Sequence, residues 1–270
     1  KKIKFFSSQT GMGNLFTKNK FLFPIIFKLL KSVNDRSSSV FFYNKFDAKF
    51  LRSNNLISTK KIIYVGPYVN VKDFFLKKDR NKKDFIRVIC ISRLLKQKGV
   101  IEFIEVAKRY KEDKKKRKVI FLLVGEFEYT HDDRISEEFI NNAVNKKIID
   151  RVGFTKNIKK LLHKSDILFL HSYREGAPSV IVEASAAKMP TIGSDAIGVK
   201  DLIINGKTGF TSKARNVDLA YKSLLKLVNN KKLIKKLGNN AYEKIAKPVN
   251  IEESTMKQVK AYNRDTTLLN

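Results

Sequence analysis

The chain has little cysteine, little histidine and a shortage of acid: one Cys, three His, and 26 Asp and Glu against 56 Lys and Arg in 270 residues. Cys90 lies in the strand-like run Val88-Ile89-Cys90-Ile91, so no internal disulfide is possible, and a reducing compartment is compatible with the sequence. His131, His163 and His171 stand at no metal-binding spacing. No stretch approaches the roughly 20 apolar residues that cross a bilayer, and no cleavable signal pattern opens the chain. A cytoplasmic protein is expected, soluble or peripheral to the inner face of the membrane. The opening Lys1-Lys2-Ile3-Lys4-Phe5-Phe6 reads as already within a strand, and missing N-terminal residues are expected.

What is there is a core and a large positive charge. The apolar share of 43% is ample for one large α/β domain or two smaller ones. The net charge of +30 is mostly lysine spread along the chain, with runs such as Lys114-Lys115-Lys116-Arg117-Lys118 beside helices. It reads mainly as solvated faces. No motif with aromatic interleaving points to nucleic acid, so no nucleic-acid partner is expected, whereas attraction to an anionic membrane is a use for the charge.

The rest of the chain is organised around 166–190. The apolar run Ile167-Leu168-Phe169-Leu170 has the length and bounds of a buried parallel strand, and Pro178 before Val180-Ile181-Val182 predicts a helix opened by proline and ended before Pro190. Such a helix start offers free N–H groups and a positive dipole end, and Gly176 lets a phosphate or sugar approach the main chain. A diphosphate suits that place. Glu183 follows Glu175 by eight residues, about two turns along the helix, so both carboxylates can border one crevice and meet hydroxyl groups. The plainer alternative is two surface acids, a pairing many chains hold by chance.

Glu175-Gly176, Pro178, Glu183-Ala184 and Pro190 resemble the E-x7-E signature of the retaining group 1 (family 4) glycosyltransferases, in the variant of capsule and lipopolysaccharide sugar transferases. That resemblance implies that Glu175 meets donor-sugar hydroxyls and Glu183 the ribose, with Gly176, Ala177, Pro178, Ser179 and Val180 around the donor. A second signature agrees. Arg93-Leu94-Leu95-Lys96-Gln97-Lys98-Gly99 is similar to the family's Arg-Leu-x-x-x-Lys-Gly, which assigns the donor phosphates to Arg93 and Lys98. Two cations five residues apart at a sheet edge can grip a diphosphate and offset its growing charge, although a solvated basic loop has the same composition.

The weaker assignments follow from the same resemblance. Gly125 ends the strand-like Val119–Val124 and lets the nucleotide pass, and Phe154 or its neighbours meet the base. Gly11 and Gly13 form an acceptor-side glycine turn, with Thr10 where many relatives carry histidine. There is no Asp-x-Asp of the metal-dependent sugar transferases, Asp132 and Asp133 are expected to cap a helix near Arg134, and no metal or other cofactor is expected.

Along the chain, strands are expected at 3–9, 40–43, 61–65, 86–92, 118–124, 149–152 and 166–171, with helices between them. Asp47 is a candidate helix cap, and 205–210 a glycine turn. The segment 18–33 reads as a basic amphipathic helix, either lying on a membrane or covering a sheet. Residues 77–84 are charged and aperiodic. The division expected is therefore a partial acceptor-side domain at 1–78, a linker at 79–84, a nucleotide-sugar domain at 85–247, and a helix at 248–270 returning to the first domain.

The implied fold is GT-B: two Rossmann-like, doubly wound α/β domains across a crevice, the first truncated. The implied activity is hexosyl transfer with retention from a nucleotide diphosphate sugar, a UDP-sugar, to a glycan or lipid-linked acceptor in cell-surface polysaccharide synthesis. Three alternatives stand beside it: a noncatalytic nucleotide-sugar-binding remnant or partner subunit, a basic nucleic-acid binder, and a GT-B sugar-nucleotide epimerase.

Overall fold

The computed structural model describes residues 4–11, 22–76, 84–113 and 117–264. Gly13 and most of the expected linker lie outside them. The chain divides into two compact units, Lys1–Val69 with Glu175–Pro178 and Asn250–Asn270, and Asn70–Arg174 with Ser179–Val249.

In the first unit, β1 (Phe6–Gln9), β2 (Ser39–Phe42) and β3 (Ile62–Tyr64) form a parallel sheet in that order, with Ser7 opposite Val40 and Phe41 opposite Ile63. Helix α1 (Phe23–Arg36) starts with Pro24 in its first turn, where proline's missing N–H costs nothing. Its Phe27 and Leu30 pack on Val40, Phe42 and Leu51, and buried Asn34 donates Nδ2 to Leu56 O at 3.0 Å. Helix α2 (Lys45–Ser53) corrects one expectation, because its cap is Asn44 and not Asp47. Asn44 has extended backbone, its Oδ1 accepts from Asp47 N at 2.8 Å, and its Nδ2 donates to the Asp47 carboxylate at 2.8 Å. Three residues into the helix, Asp47 is the residue being capped. A C-terminal helix (Ile251–Arg264) completes the unit, with Ala261 buried against Phe41 and Val65 and the Tyr262 ring edge-on to Phe6 at 4.5 Å.

The second unit is a six-stranded parallel sheet: β4 (Phe85–Ile91), β5 (Lys118–Val124), β6 (Asp150–Val152), β7 (Ile167–Leu170), β8 (Thr191–Ser194) and β9 (Gly209–Ser212). Their spatial order is β6-β5-β4-β7-β8-β9. The continuous apolar runs are explained by burial on both faces. Val88, Cys90, Phe121, Leu123, Ile167 and Phe169 face one core with α4 (Val100–Glu112) and α8 (Val217–Val228). Ile89, Leu122, Val124, Leu168 and Leu170 face the other, against Ile181 and Ala184 of α7 (Ser179–Ala186). Each fully buried Leu, Ile or Phe contributes about 1.5–3 kcal/mol.

Two local expectations change. Gly209 and Phe210, read as the end of a glycine turn, open the edge strand β9 (Gly209–Ser212), and the helix expected near Arg134 begins at Glu137. It is capped by Ser136, whose hydroxyl accepts from Phe139 N at 3.3 Å. Asp132 and Asp133 do not cap it.

Candidate active site

The strand order sets the location. The chain runs β4, β5, β6 outward on one side, then returns to β7 on the other side of β4. The loops leaving β4 and β7 therefore start from neighbouring strands and run in opposite directions, which opens a crevice at the carboxyl edge of the sheet.

The β4 loop is Ser92 to Lys98, closing in a single 3-10 turn at Lys96–Lys98. Its shape is held from the loop beyond β5. Leu94 N donates to Glu126 O at 3.1 Å, Lys96 N to Asp133 O at 2.9 Å, and Gln97 N to the Asp133 carboxylate at 2.7 Å. Asp133 N in turn donates to His131 Nδ1 at 3.0 Å. Arg93 is exposed and meets Glu128 at 3.4 Å, and Lys98 is half-buried. Gly99 follows with φ +74, and a Cβ there would stand 2.5 Å from the His171 carbonyl, so only glycine lets α4 begin against the β7 loop.

The β7 loop is tied to it. Tyr173 N donates to Gln97 O at 2.8 Å, Ser172 Oγ to Lys98 O at 3.4 Å, and Tyr173 OH to Glu102 Oε1 on α4 at 2.7 Å. The Arg215 guanidinium stacks over the Tyr173 ring at 4.4 Å. Burial, the Glu102 hydrogen bond and the Glu102 charge all raise the Tyr173 pKa, so the phenol stays a donor. His171 is fully buried, its Nε2 hydrogen-bonds with Ser212 Oγ at 2.9 Å, and its Nδ1 has no partner. Burial lowers its pKa to about 4, against a weaker upward pull from Asp195.

Helix α7 begins at Ser179, one residue after Pro178, with Val180 in its first turn. Glu183 lies half-buried in the same helix. Burial raises its carboxyl pKa, partly offset by the hydrogen bond from the Ser179 side chain one turn earlier. Gly125 ends β5 with φ +155, and a Cβ there would stand 1.9 Å from Ser92 O. The close approach it permits in this structure is that of the protein's own β4 loop. Phe154 follows β6 with 72% of its surface exposed, its N–H donating to Glu126 Oε2 at 2.8 Å.

The structure thus places Arg93 and Lys98 in the loop leaving β4, Ser179, Val180 and Glu183 on the helix that follows β7, and Gly125 and Phe154 just after β5 and β6. Glu175, Gly176, Ala177 and Pro178 group with the first unit. There a Cβ on Gly176 would stand 1.7 Å from Thr10 O and, on the other side, one on Gly11 (φ +145) 3.1 Å from Gly176 Cα. Sequence reading missed Glu126 and Tyr173 and gave Asp133 the role of a helix cap. The bonds that join Asp133 to Gln97, Glu126 to Phe154 and Tyr173 to Glu102 span 36, 28 and 71 positions, and no local pattern announces such pairs. Among the described residues no group of three His, Cys, Asp or Glu is placed to hold a metal ion.

Comparison with known proteins identifies the family and the fold. The profile of the family described as glycosyl transferases group 1 matches residues 71–244, well over half the chain. An N,N'-diacetylbacillosaminyl-diphospho-undecaprenol alpha-1,3-N-acetylgalactosaminyltransferase from Campylobacter jejuni is 29% identical over 252 residues, covering 87% of this chain. A UDP-Gal:alpha-D-GlcNAc-diphosphoundecaprenol alpha-1,3-galactosyltransferase from Escherichia coli is 28% identical over 69% of it. The chain spans 64% and 47% of the lengths of these two relatives. Among solved structures, sucrose-phosphate synthase from Thermosynechococcus elongatus superposes with a TM-score of 0.81 at 16% identity, covering 97% of this chain and 68% of the other. The Anabaena protein HepE in complex with UDP and glucose gives 0.74 at 14% identity, covering 88% and 66%. The fold is GT-B, and the chain belongs to the group 1 glycosyltransferases.

Proposed function

We propose that this chain supplies the donor site of an enzyme that moves a sugar, with retention, from a UDP-sugar to a lipid-linked or glycan acceptor in surface polysaccharide synthesis, at the cytoplasmic face of a membrane. The observation that carries the reading is the joining of the Arg93–Lys98 loop to the β7 loop across the point where the strand order reverses. That is where open parallel sheets bind their ligands. The E. coli relative is a UDP-Gal galactosyltransferase and HepE is solved in complex with UDP, which favours uridine as the base.

In this mechanism Arg93 and Lys98 bind the diphosphate, together with the N–H groups of Ala177, Ser179 and Val180 at the start of α7. They stabilise the charge that builds on it as the bond to the sugar breaks. Glu183 accepts from the ribose hydroxyls, Phe154 lies by the base, and Glu175 orients the sugar. The acceptor hydroxyl attacks from the side the diphosphate leaves, with Gly11 and Gly13 on the acceptor side. Neither a metal nor a protein nucleophile takes part.

Calorimetric titration with UDP, GDP and ADP, without added metal, tests the donor site. UDP is expected to bind selectively, and Arg93→Ala and Glu183→Ala are each expected to weaken it about tenfold or more, the worth of a charged hydrogen bond. Equal affinity for the three nucleotides, or UDP binding unchanged in both variants, would overturn the reading.

A further inference from the structure

The proposed donor crevice lies at the carboxyl edge of the six-stranded sheet, and a second cleft lies at the amino edge. It holds about 650 Å³ between the end of α4, the start of β5 and the turn that leads into β6. Roughly 20 Å of β5 separates the two edges. Buried Val119, Phe121 and Ile149 give the cleft an apolar wall. Among the described residues Lys111, Arg117, Lys118 and Lys147 line it with one acid, Asp150, and none of the four cations forms an ion pair. Lys111 and Lys147 stand at the ends of α4 and of the helix Glu137–Asn145, where cations ordinarily complement the helix dipole. Arg117 is different. Its carbonyl accepts from Tyr110 OH at 3.0 Å, but its Nη1 is buried without a hydrogen-bond partner in the protein. A buried guanidinium N–H with no acceptor is costly, and the acceptor that suits it best is an anion.

We propose that this cleft is a second ligand site, for a small phosphorylated molecule with a hydroxyl-bearing body, of which a sugar phosphate is the fitting class. The phosphate meets Arg117 with Lys118 and Lys147, the Asp150 carboxylate accepts from hydroxyls, and the apolar wall lies against the ring. The volume is that of a small-molecule pocket. Both aromatic side chains of the cleft, Tyr110 and Phe121, are buried, so bases find no stacking surface there. No exposed large apolar side chain lines it that could enter a bilayer. The site is independent of the donor crevice and stands whether or not that crevice takes UDP.

The test is calorimetric titration of the UDP-saturated chain, which keeps the probe out of the donor crevice, with glucose 6-phosphate, glucose, inorganic phosphate and sulfate at constant ionic strength. Arg117→Gln and the exposed pair Lys118→Gln/Lys147→Gln are compared with the parent, and circular dichroism confirms that each is folded. Glucose 6-phosphate is expected to bind one site per chain, about tenfold or more tighter than inorganic phosphate, and glucose not to bind. Arg117→Gln is expected to weaken it about tenfold or more, as the loss of a charged hydrogen bond does, and the lysine pair about fivefold. UDP affinity is expected to be the same in all three proteins. Should UDP not bind, the donor site fails and the same titration of the free chain still reads this cleft through the two variants. Absence of glucose 6-phosphate binding, or binding unchanged in both variants, would overturn the proposal. So would equal affinity for glucose 6-phosphate, phosphate and sulfate, which would mean an adventitious ion only. RNA binding that the lysine pair abolishes, with no response to glucose 6-phosphate, would make the face a nucleic-acid surface and overturn it as well.

Discussion

Tyr173 N donates to Gln97 O at 2.8 Å, which joins the loop leaving β7 to the loop leaving β4. The same tyrosine anchors its hydroxyl on Glu102 of α4 at 2.7 Å, so two segments 70 or more positions apart behave as one wall of the site. Each bond contributes only about 1 kcal/mol net. Their effect is geometric, because a shift of either loop moves the groups proposed to meet the diphosphate.

Asp133 should matter to binding without touching the ligand. Its carboxylate accepts from Gln97 N and its carbonyl from Lys96 N. Asp133→Ala removes the first of these and frees the loop that carries Arg93 and Lys98. UDP affinity is expected to fall about tenfold, the equivalent of ~1.4 kcal/mol, with a smaller change in melting temperature. Calorimetry giving the parent affinity would show that the loop keeps its shape unaided.

Gly125 tests the backbone contact. A methyl group there would stand 1.9 Å from Ser92 O at a φ of +155. Gly125→Ala is expected to cost about 3 kcal/mol of stability in urea unfolding, combining strain with displaced backbone. A cost under about 1 kcal/mol would mean that the β4 loop yields easily.

The Glu183 carboxyl, raised by burial above its ordinary 4.5, holds its proton in the folded state to a higher pH than in the unfolded one. Stability therefore falls as pH rises from 4.5 through the raised value. Glu183→Gln stays neutral throughout, so it should be more stable than the parent at pH 7 and lose that advantage near pH 4. Thermal melts across this range check it. A variant less stable than the parent at pH 7 would contradict the sign.

His171 gives the opposite slope. With its ordinary 6.5 lowered to about 4 in the fold, the unfolded chain takes up the proton first on acidification. Stability is lost as pH falls from 6.5 to about 4. His171→Asn, which cannot titrate, should show a flatter profile over that window. An identical profile would place the acid sensitivity elsewhere.

Much of this was legible in the residues. Val88–Ile91, Val119–Val124 and Ile167–Leu170 are apolar without alternation, as strands covered on both faces must be, and Pro178 marked the start of α7 to within one residue. The caps were less legible. Asn44 and Asp47 have equal chemistry for the role, and the difference lies in backbone direction: Asn44 is extended while Asp47 is already helical. Gly209–Ser212 has the composition of a turn and becomes a strand because β8 offers it a parallel ladder from Thr191 to Ser194.

The sequence alone determined the elements and the chemistry of the two signatures, because hydrophobic period, proline, glycine and charge act over a few residues. Only the tertiary structure decided that β4 lies beside β7. That adjacency brings the Arg93–Lys98 loop against His171–Tyr173, and the pairing of β4 with β5 makes Asp133 a support for the loop and not a cap. Those outcomes depend on contacts between residues tens of positions apart, and the free energy that selects them comes from burying both faces of the sheet at once.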